Sequence, residues 1–373
     1  MRVLVFGMND NPGGIESFLM NYIRRLQGDD MQFDFLCNTQ IVAYEEELRA
    51  MGCGVTKITA RSVNPKKYKE ELEAFFKQNA SSYQIIWVNI CSLANIDYLK
   101  MAKKYGIPRR IIHSHNSQNM DSKLRGMLHK MNRKKIDQYA TDFWSCSQEA
   151  GEWFYSDAIR SGSKYHVIRN AIDVKKFTFS EENRSRLRTE LGLEGGKLVL
   201  GNVGRLHFQK NQKFLIQVFA EFKKLHENAC LLLVGQGPDE AMLREEAKRL
   251  QVEEDVRFLG VRSDVPELLS AMDVFVFPSV FEGLSLVSLE VQASGIQMFA
   301  TDTIIPEIAQ ISDKLTLVSL DETPERWAQR IDEQCGRQFE SEEKRENYIE
   351  IFRERGFLID EEVKKLRQML EQQ

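Results

Sequence analysis

The chain of 373 residues lacks most of the features that mark fibrous, disordered or membrane-spanning proteins. It has only 8 prolines, and no collagen-like repeat or low-complexity tract interrupts it. No apolar run approaches the roughly 18 residues that a membrane span needs. The apolar start at Arg2–Gly7 is shorter than that of a signal peptide and fits a first β-strand better. We therefore expect a globular, cytoplasmic protein.

Metal-binding and disulfide patterns are also missing. The cysteines are scattered, with no CxxC pair, at Cys37, Cys53, Cys91, Cys146, Cys230 and Cys335. Free thiols are expected for such a pattern in a long chain without a signal peptide, and a zinc site is not. The acidic pair Asp-x-Asp, which could chelate a metal, does not occur. We expect neither a metal site nor a cofactor.

An excess of positive charge is absent from the chain as a whole but present in one segment. The net charge is -4, which argues against a nucleic-acid partner. Residues 100–140 nevertheless hold eleven Lys or Arg and two Asp. Within them an apolar stripe recurs at helical spacing, at Leu124, Met127, Leu128 and Met131. Segment 121–135 has two interpretations. It is a basic amphipathic helix that rests on an anionic membrane, or its apolar stripe faces the core and its basic back is solvated. Both hold if the stripe is buried while the cations face a membrane.

Short apolar strands alternate with amphipathic helices from end to end, which predicts parallel sheets covered on both faces. The pattern restarts after the polar stretch 178–196. We predict two doubly wound α/β domains, 1–177 and 178–357. A C-terminal helix, 358–373, packs on the second domain or crosses back to the first.

Two glycine-containing turns lie between predicted strands and helices. Gly13 and Gly14 precede a helix predicted from Gly14 to Leu26, whose first N–H groups could bind an anion or a hydroxyl. Gly204 is followed by Arg205 and, five residues later, by Lys210, two cations that suit a diphosphate. An ordinary turn and solvated surface cations remain the alternatives.

Two glutamates of the second half lie eight residues apart. Glu282 precedes Gly283, where we predict a helix to begin, and Glu290 follows about two turns later on the same face. Because its neighbours are apolar, the Glu290 carboxylate should be paired or accept hydrogen bonds from hydroxyls, such as those of a ribose. Both could also be ordinary helix glutamates.

These motifs, in this order, resemble the GT-B glycosyltransferases, specifically the retaining family 4 type. Besides Glu282-x7-Glu290, the matching segments are Gly13–Glu16, Val167–Phe177, Gly204–Lys210, Leu233–Pro238 and Phe258–Gly260. The resemblance covers nearly the whole chain and looks most like enzymes of bacterial capsule and exopolysaccharide synthesis. It implies two Rossmann-like domains facing across a cleft, an acceptor-binding domain first and a nucleotide-sugar donor domain second.

The resemblance also implies a reaction, the metal-independent transfer of a sugar with retention of configuration. The donor would be a nucleotide diphosphate sugar, with UDP expected, and the acceptor a glycan or a polyprenyl-diphosphate-linked sugar. Arg205 and Lys210 would hold the diphosphate, Glu290 the ribose and Glu282 the donor sugar. The other implied donor contacts are Gly13, Gly14, Gly204, Val261, Arg262, Gly283, Leu284 and Ser285.

The resemblance places a sugar-contacting histidine at the end of a first-domain strand. His115 has that position, so a catalytic role is implied for it. His113 points to the same side of the strand. Together with Asn116 and Glu16 it is assigned to the acceptor side. A structural histidine pair is the alternative.

The chain departs from the family pattern at several positions. Asn211 replaces the usual Gly after the lysine, and Arg169 and Ala171 replace Pro and Gly at the domain junction. The loop Thr303–Glu307 lacks the glycines that the family has before its Pro-Glu pair. These departures bear on the geometry of the sugar-side loop and not on the diphosphate site. Two other functions stay open. One is a non-catalytic GT-B partner subunit, and the other is a UDP-sugar 2-epimerase on the same scaffold.

Overall fold

A computed structural model describes residues 1–118, 122–335 and 348–372. Three stretches for which predictions were made lie outside the described residues: Asp121 of the basic segment, residues 336–347 of the predicted donor domain, and Gln373. Within the described residues no helix is both long and apolar enough to cross a membrane.

The chain forms two compact units, each with its own sheet. The first consists of Met1–Ala171 and Ile359–Gln373, and the second of Ile172–Leu358. Residues 172–177, predicted to belong to the first domain, lie in the second unit. A backbone hydrogen bond joins this segment to the second unit, since the Ile172 N–H donates to the carbonyl of Phe357 over 3.0 Å.

The sheet of the first unit has seven strands in the order β3-β2-β1-β4-β5-β6-β7, and all its pairs are parallel. The strands are β1 Arg2–Phe6, β2 Gln32–Cys37, β3 Gly54–Lys57, β4 Ile85–Ile90, β5 Arg109–Ser114, β6 Asp142–Ser145 and β7 Tyr165–Val167. Their residues are largely buried, as expected for strands covered on both faces.

Eight helices are described in this unit. They are α1 Gly14–Leu26, α2 Glu45–Ala50, α3 Pro65–Asn79, α4 Asp97–Lys104, α5 Lys123–Arg133, α6 Gln148–Phe154, α7 Asp157–Arg160 and, from the C-terminus, α15 Ile359–Glu371. Helix α15 packs against α1, where Arg25 pairs with Asp360 at 2.9 Å. The Arg109 guanidinium donates to three carbonyls at the end of α15, those of Met369, Leu370 and Gln372.

The sheet of the second unit has six parallel strands in the order β10-β9-β8-β11-β12-β13. The strands are β8 Leu198–Val203, β9 Ala229–Val234, β10 Val256–Gly260, β11 Val274–Phe277, β12 Gln297–Thr301 and β13 Leu315–Val318. The described helices are α8 Glu181–Glu190, α9 Gln212–Leu225, α10 Glu240–Arg249, α11 Val265–Ala271, α12 Leu286–Ala293, α13 Pro324–Cys335 and α14 Ile349–Glu354. The prediction of two doubly wound α/β sheets is confirmed.

Candidate functional site

Each sheet reverses its strand order at one point, and most of the predicted site residues follow the strands there. In the first unit the reversal lies between β1 and β4, and in the second between β8 and β11. Ligands of open α/β sheets bind outside the carboxyl ends of strands at such points, because the loops diverge and leave a crevice. Gly13 and Gly14 follow β1, Gly204 to Lys210 follow β8, and Glu282 follows β11.

Lys210 and Glu282 form an ion pair at the reversal point of the second unit. The Lys210 Nζ lies 2.8 Å from the Glu282 Oε1, and the two side chains are 15% and 7% exposed. The same ammonium group lies 5.0 Å from the centre of the Phe277 ring, the last residue of β11. The pair is therefore largely shielded from water, where a charge acts more strongly on a neighbouring ligand than at an open surface.

Two hydrogen bonds of Gln209 hold the loops after β8 and β11 together. The carbonyl of Gln209 accepts from the Val280 N–H at 2.8 Å, and its side-chain amide donates to the Phe281 carbonyl at 3.0 Å. Asn211, where the family usually has Gly, adopts φ 56°, a left-handed conformation that asparagine tolerates better than most residues. The substitution thus preserves the turn that presents Lys210.

Two glycines after β9 allow a close approach to the Gly204 turn. A Cβ atom on Gly235 would lie 2.1 Å from the Gly204 carbonyl oxygen, and one on Gly237 would lie 2.1 Å from that of Leu206. The Gly204 N–H donates to Val234 at 2.9 Å. Only glycine fits at both positions, which gives a physical reason for the glycines of the Leu233–Pro238 motif.

Helix α12 begins at Leu286, so the prediction that it begins at Gly283 is wrong. Ser285 is the N-cap, and its hydroxyl accepts a hydrogen bond from the N–H of Ser288. Gly283, Leu284 and Ser285 lie in the loop that leads to this helix. Their own N–H groups therefore precede the helical turn instead of forming it, although they still lie at its positive end.

Glu290 lies in the second turn of α12 and is partly buried. Burial raises the pKa of its carboxyl group to about 7. Among the described residues no side chain forms an ion pair with it. A carboxyl group in this position is suited to accept hydrogen bonds from a ligand's hydroxyl groups, as the motif implies.

The remaining predicted donor contacts of the second unit lie at its surface. Arg205 is exposed, and Val261 is 49% exposed just after β10. The Arg262 guanidinium pairs with Asp264 through two bonds of 2.7 and 2.6 Å, and this pairing raises its pKa. The Arg262 side chain is thus already bound to Asp264. The predicted donor contact would be made by the Arg262 backbone and is independent of this side chain.

In the first unit, Gly13 and Gly14 form the start of α1. Both are exposed, and a Cβ atom on Gly14 would meet no other atom within 4 Å. Glu16 stabilises this loop from within: its Oε1 accepts from the N–H of Asn9 at 3.1 Å and from the Asn9 side-chain amide at 2.7 Å. Burial raises the pKa of the Glu16 carboxyl group.

His115 is held by Asn89, at the ends of the adjacent strands β5 and β4. The His115 Nε2 lies 2.9 Å from the Asn89 Oδ1. The Asn89 amide nitrogen faces the carbonyls of Phe6 and Trp87, which assigns its oxygen to the histidine. Nε2 therefore carries the proton, and Nδ1 remains an acceptor. Burial lowers the pKa of His115 to about 3, so the ring is neutral at pH 7.

The structure does not support the acceptor-side roles predicted for His113, Asn116 and Glu16. His113 is 0% exposed, and its ring lies among Phe18, Trp87 and Trp144 with centroid distances of 5.1 to 6.1 Å. Asn116 and Glu16 are each 4% exposed. Asn116 instead closes a turn, accepting from the N–H of Ser117 and donating to the carbonyl of Gln118. These three residues shape the loops and the core.

Two residues that organise the site were not predicted from the sequence. Asn89 orients His115, and Gln209 connects the two loops that carry Lys210 and Glu282. Asn89 had a readable signal, because it is a polar residue in the apolar strand Ile85–Ile90. Gln209 had none, since exposed loops commonly contain glutamine.

Comparison with known proteins finds relatives of the second unit and of most of the chain. Residues 183–355, all in the second unit, match the family model of the glycosyl transferases group 1. EpsF of Bacillus subtilis (strain 168), which is named as a glycosyltransferase, is 29% identical over 338 residues. The match spans 88% of this chain and 86% of that protein. A UDP-Gal:alpha-D-GlcNAc-diphosphoundecaprenol alpha-1,3-galactosyltransferase of Escherichia coli is 34% identical over 140 residues, which span 36% of this chain and 35% of that protein.

Among solved structures, that of Anabaena Alr3699/HepE in complex with UDP and glucose has the same fold. It aligns with a TM-score of 0.79 at 19% identity and covers 99% of both chains. The chain therefore has the GT-B fold. The match of the second unit and the named relatives further show that the chain is a glycosyltransferase, which confirms the resemblance drawn from the motifs.

Proposed function

We propose that this glycosyltransferase moves a sugar from a UDP-sugar to a glycan or polyprenyl-diphosphate-linked acceptor in surface polysaccharide synthesis. The observation that carries the proposal is the shielded Lys210–Glu282 pair at the reversal point of the second sheet. It combines a cation for phosphate with a carboxylate for sugar hydroxyls, beside the closely packed Gly204 turn.

Fixed positive charge would drive the cleavage step. When the bond between the anomeric carbon and the phosphate oxygen breaks, its electron pair stays on the β-phosphate. Lys210 and Arg205, together with the positive end of α12, would stabilise this charge without a metal ion. Their charges are present before the reaction, so little reorganisation is needed at the transition state.

We further propose that the sugar is transferred with retention of configuration. The acceptor hydroxyl would attack the face from which the phosphate departs, and the leaving phosphate would take its proton. Such a step needs no protein base. This fits His115, whose pKa of about 3 leaves it uncharged and a poor base at pH 7. Its Nδ1 would accept a hydrogen bond from a hydroxyl of the donor sugar.

Two properties of the relatives support the choice of donor and acceptor. The structural neighbour HepE was solved with UDP and glucose. The Escherichia coli relative uses UDP-Gal and acts on a sugar linked to diphosphoundecaprenol. A polyprenyl-linked acceptor would place the enzyme at the cytoplasmic face of a membrane, in peripheral contact through segment 121–135.

The test is binding of UDP, GDP and ADP to the purified protein, with and without EDTA. We expect selective UDP binding that survives EDTA and weakens in Lys210→Ala. The control is Lys213→Ala, an exposed lysine three residues away in α9. Loss of binding in EDTA would contradict metal independence, and preference for GDP or ADP would contradict the UDP assignment.

Turnover separates the two remaining alternatives. A partner subunit would bind UDP without transferring sugar to any lipid-linked or glycan acceptor. An epimerase would change the configuration of a UDP-N-acetylhexosamine when no acceptor is present. We expect transfer only with an acceptor and no change of configuration without one.

A further inference from the structure

Helix α5 exposes three apolar side chains and buries two polar ones, unlike an ordinary surface helix. Leu124, Met127 and Met131 are 66%, 61% and 55% exposed. They recur at intervals of three and four residues, so they form one line along the helix, which we call the apolar ridge. Of the two alternatives left open by the sequence, a stripe that faces the core is therefore wrong.

Polar contacts on the opposite face fix this orientation. The His129 Nδ1 accepts from the N–H of Leu93 at 3.0 Å, and its Nε2 donates to the carbonyl of Trp153 at 3.1 Å. The Asn132 amide donates to the Leu93 carbonyl at 2.7 Å. His129 and Asn132 are buried, so rotating α5 to hide the ridge would leave these groups without partners.

Cations accompany the ridge within a stretch of sequence that contains no acidic residue. No Asp or Glu occurs between Ser122 and Ile136, although the whole chain is acidic. Lys123, Lys130 and Lys134 are exposed and follow one another at seven and four residues, which places them along one flank of the ridge. The surface therefore combines apolar and positive groups in parallel lines.

We propose that the apolar ridge of α5 inserts into the interface of an anionic lipid bilayer while the lysines contact lipid phosphates. Amphipathic helices bind bilayers in this way, with the apolar side chains just below the headgroups and the long lysines reaching back to them. A second copy of the chain fits less well, because pairing two ridges would bring their lysines together. Membrane docking follows from the exposed groups of α5 alone. The purpose of docking, access to a lipid-linked acceptor, rests on the proposed function.

The test is sedimentation of the full-length protein with vesicles of phosphatidylcholine alone or mixed with phosphatidylglycerol. We expect binding only to the mixed vesicles. The triple variant L124S/M127S/M131S should bind at least tenfold more weakly. The variant K123Q/K130Q/K134Q should also bind more weakly, and its remaining binding should depend less on salt. The matched control is I41S/V63S, which removes two side chains that are 71% and 78% exposed elsewhere in the same unit.

Several outcomes would overturn the proposal. They are equal binding to both vesicle types, unchanged binding of the ridge variant, and a dimer in solution that the ridge variant abolishes. UDP binding is measured on the same variants and should be unchanged, which also shows that they are folded. Vesicle binding without UDP binding would contradict the proposed function but not the docking surface, and the reverse result would contradict the docking surface alone.

Discussion

The two sheets present polar residues at the same topological position under opposite electrostatic conditions. In the first unit, burial lowers the pKa of His115 to about 3, so its ring is neutral at pH 7. In the second unit, Lys210 and Glu282 form an ion pair, and Arg205 is exposed nearby in sequence. One fold thus places a neutral histidine after the strands of one sheet and an ion pair after the strands of the other.

The difference suggests how the work of the reaction is divided. Charge that develops on a leaving phosphate is stabilised best by fixed cations, and in the proposed reaction Lys210 and Arg205 of the second unit would supply them. Neutral groups such as His115 and the α1 N–H groups can orient a sugar without holding the phosphate. The following variants test this division, from the largest expected effect to the smallest.

Lys210→Ala should have the largest effect. Removing this shielded cation should slow sugar transfer by about 3 kcal/mol in activation free energy, roughly a hundredfold or more. The measurement is the steady-state rate with a UDP-sugar and a defined acceptor, with exposed Lys213→Ala as the control. A Lys210→Ala rate close to that of the wild type would mean that the cation does not act on the reaction.

Gly237→Ala tests the close packing of the second unit. Because the new Cβ would lie 2.1 Å from the Leu206 carbonyl oxygen, the loop must shift, at a cost of about 1–3 kcal/mol in the free energy of unfolding. Thermal melting measures it. Gly14→Ala is the comparison in the first unit, where the added Cβ has open space and should change the melting temperature little. Similar shifts for both variants would contradict the difference between the turns.

Glu290→Gln should change how stability depends on pH. The folded carboxyl group has a pKa of about 7, against 4.5 for an ordinary glutamate, so the folded state binds more protons between these values. Wild-type stability should therefore fall as pH rises from about 4.5 to about 7 and then level off. Relative to wild type, Glu290→Gln should gain about 1–2 kcal/mol between pH 5 and pH 8. Denaturation by urea at both pH values checks it.

The control for Glu290 is the exposed Glu245→Gln, which should follow the wild-type pH dependence. Binding of a UDP-sugar gives a second readout. If the ionised Glu290 accepts bonds from the ribose, affinity should rise through about pH 7 in the wild type and stay level in Glu290→Gln. The same pH dependence in both proteins would remove Glu290 from the donor site.

His115→Ala should have the smallest effect on the rate. Loss of one neutral hydrogen bond corresponds to about 1 kcal/mol, or roughly fivefold. The shape of the pH–rate profile should not change, because a group with a pKa of about 3 does not titrate near neutrality. If a limb of the profile near pH 6–7 disappears in the variant, His115 acts as an acid or a base and the division proposed above is wrong.

Much of the fold could be predicted because its signals are local. The bounds predicted for α1, Gly14–Leu26, agree with the structure, since apolar periodicity defines a helix within its own sequence. The start of α12 could not be predicted as well. A glutamate followed by a glycine is compatible with a helix N-terminus at Gly283. In the structure the Ser285 hydroxyl caps the helix, which therefore begins at Leu286.

The candidate site likewise contains residues that the sequence indicates and residues whose roles depend on tertiary contacts. Arg205, Lys210 and Glu282 could be found from residue type and spacing after predicted strands. The burial of His113 and the loop-closing role of Glu16 could not, because they depend on Trp87, Trp144 and Asn9, which come from other parts of the chain. A motif therefore indicates a region of the fold, whereas the role of each side chain depends on its tertiary contacts.

The sequence by itself determined the alternation of strands and helices, the two-sheet α/β class and the residues at the strand ends, because each depends on short-range patterns. Only the tertiary structure decided that residues 172–177 join the second unit, that His115 is neutral, and that α5 turns its apolar ridge outward. The last case shows the reason. The stripe at helical spacing is a local property, whereas the face that is buried depends on hydrogen bonds to Leu93 and Trp153, which are distant in sequence.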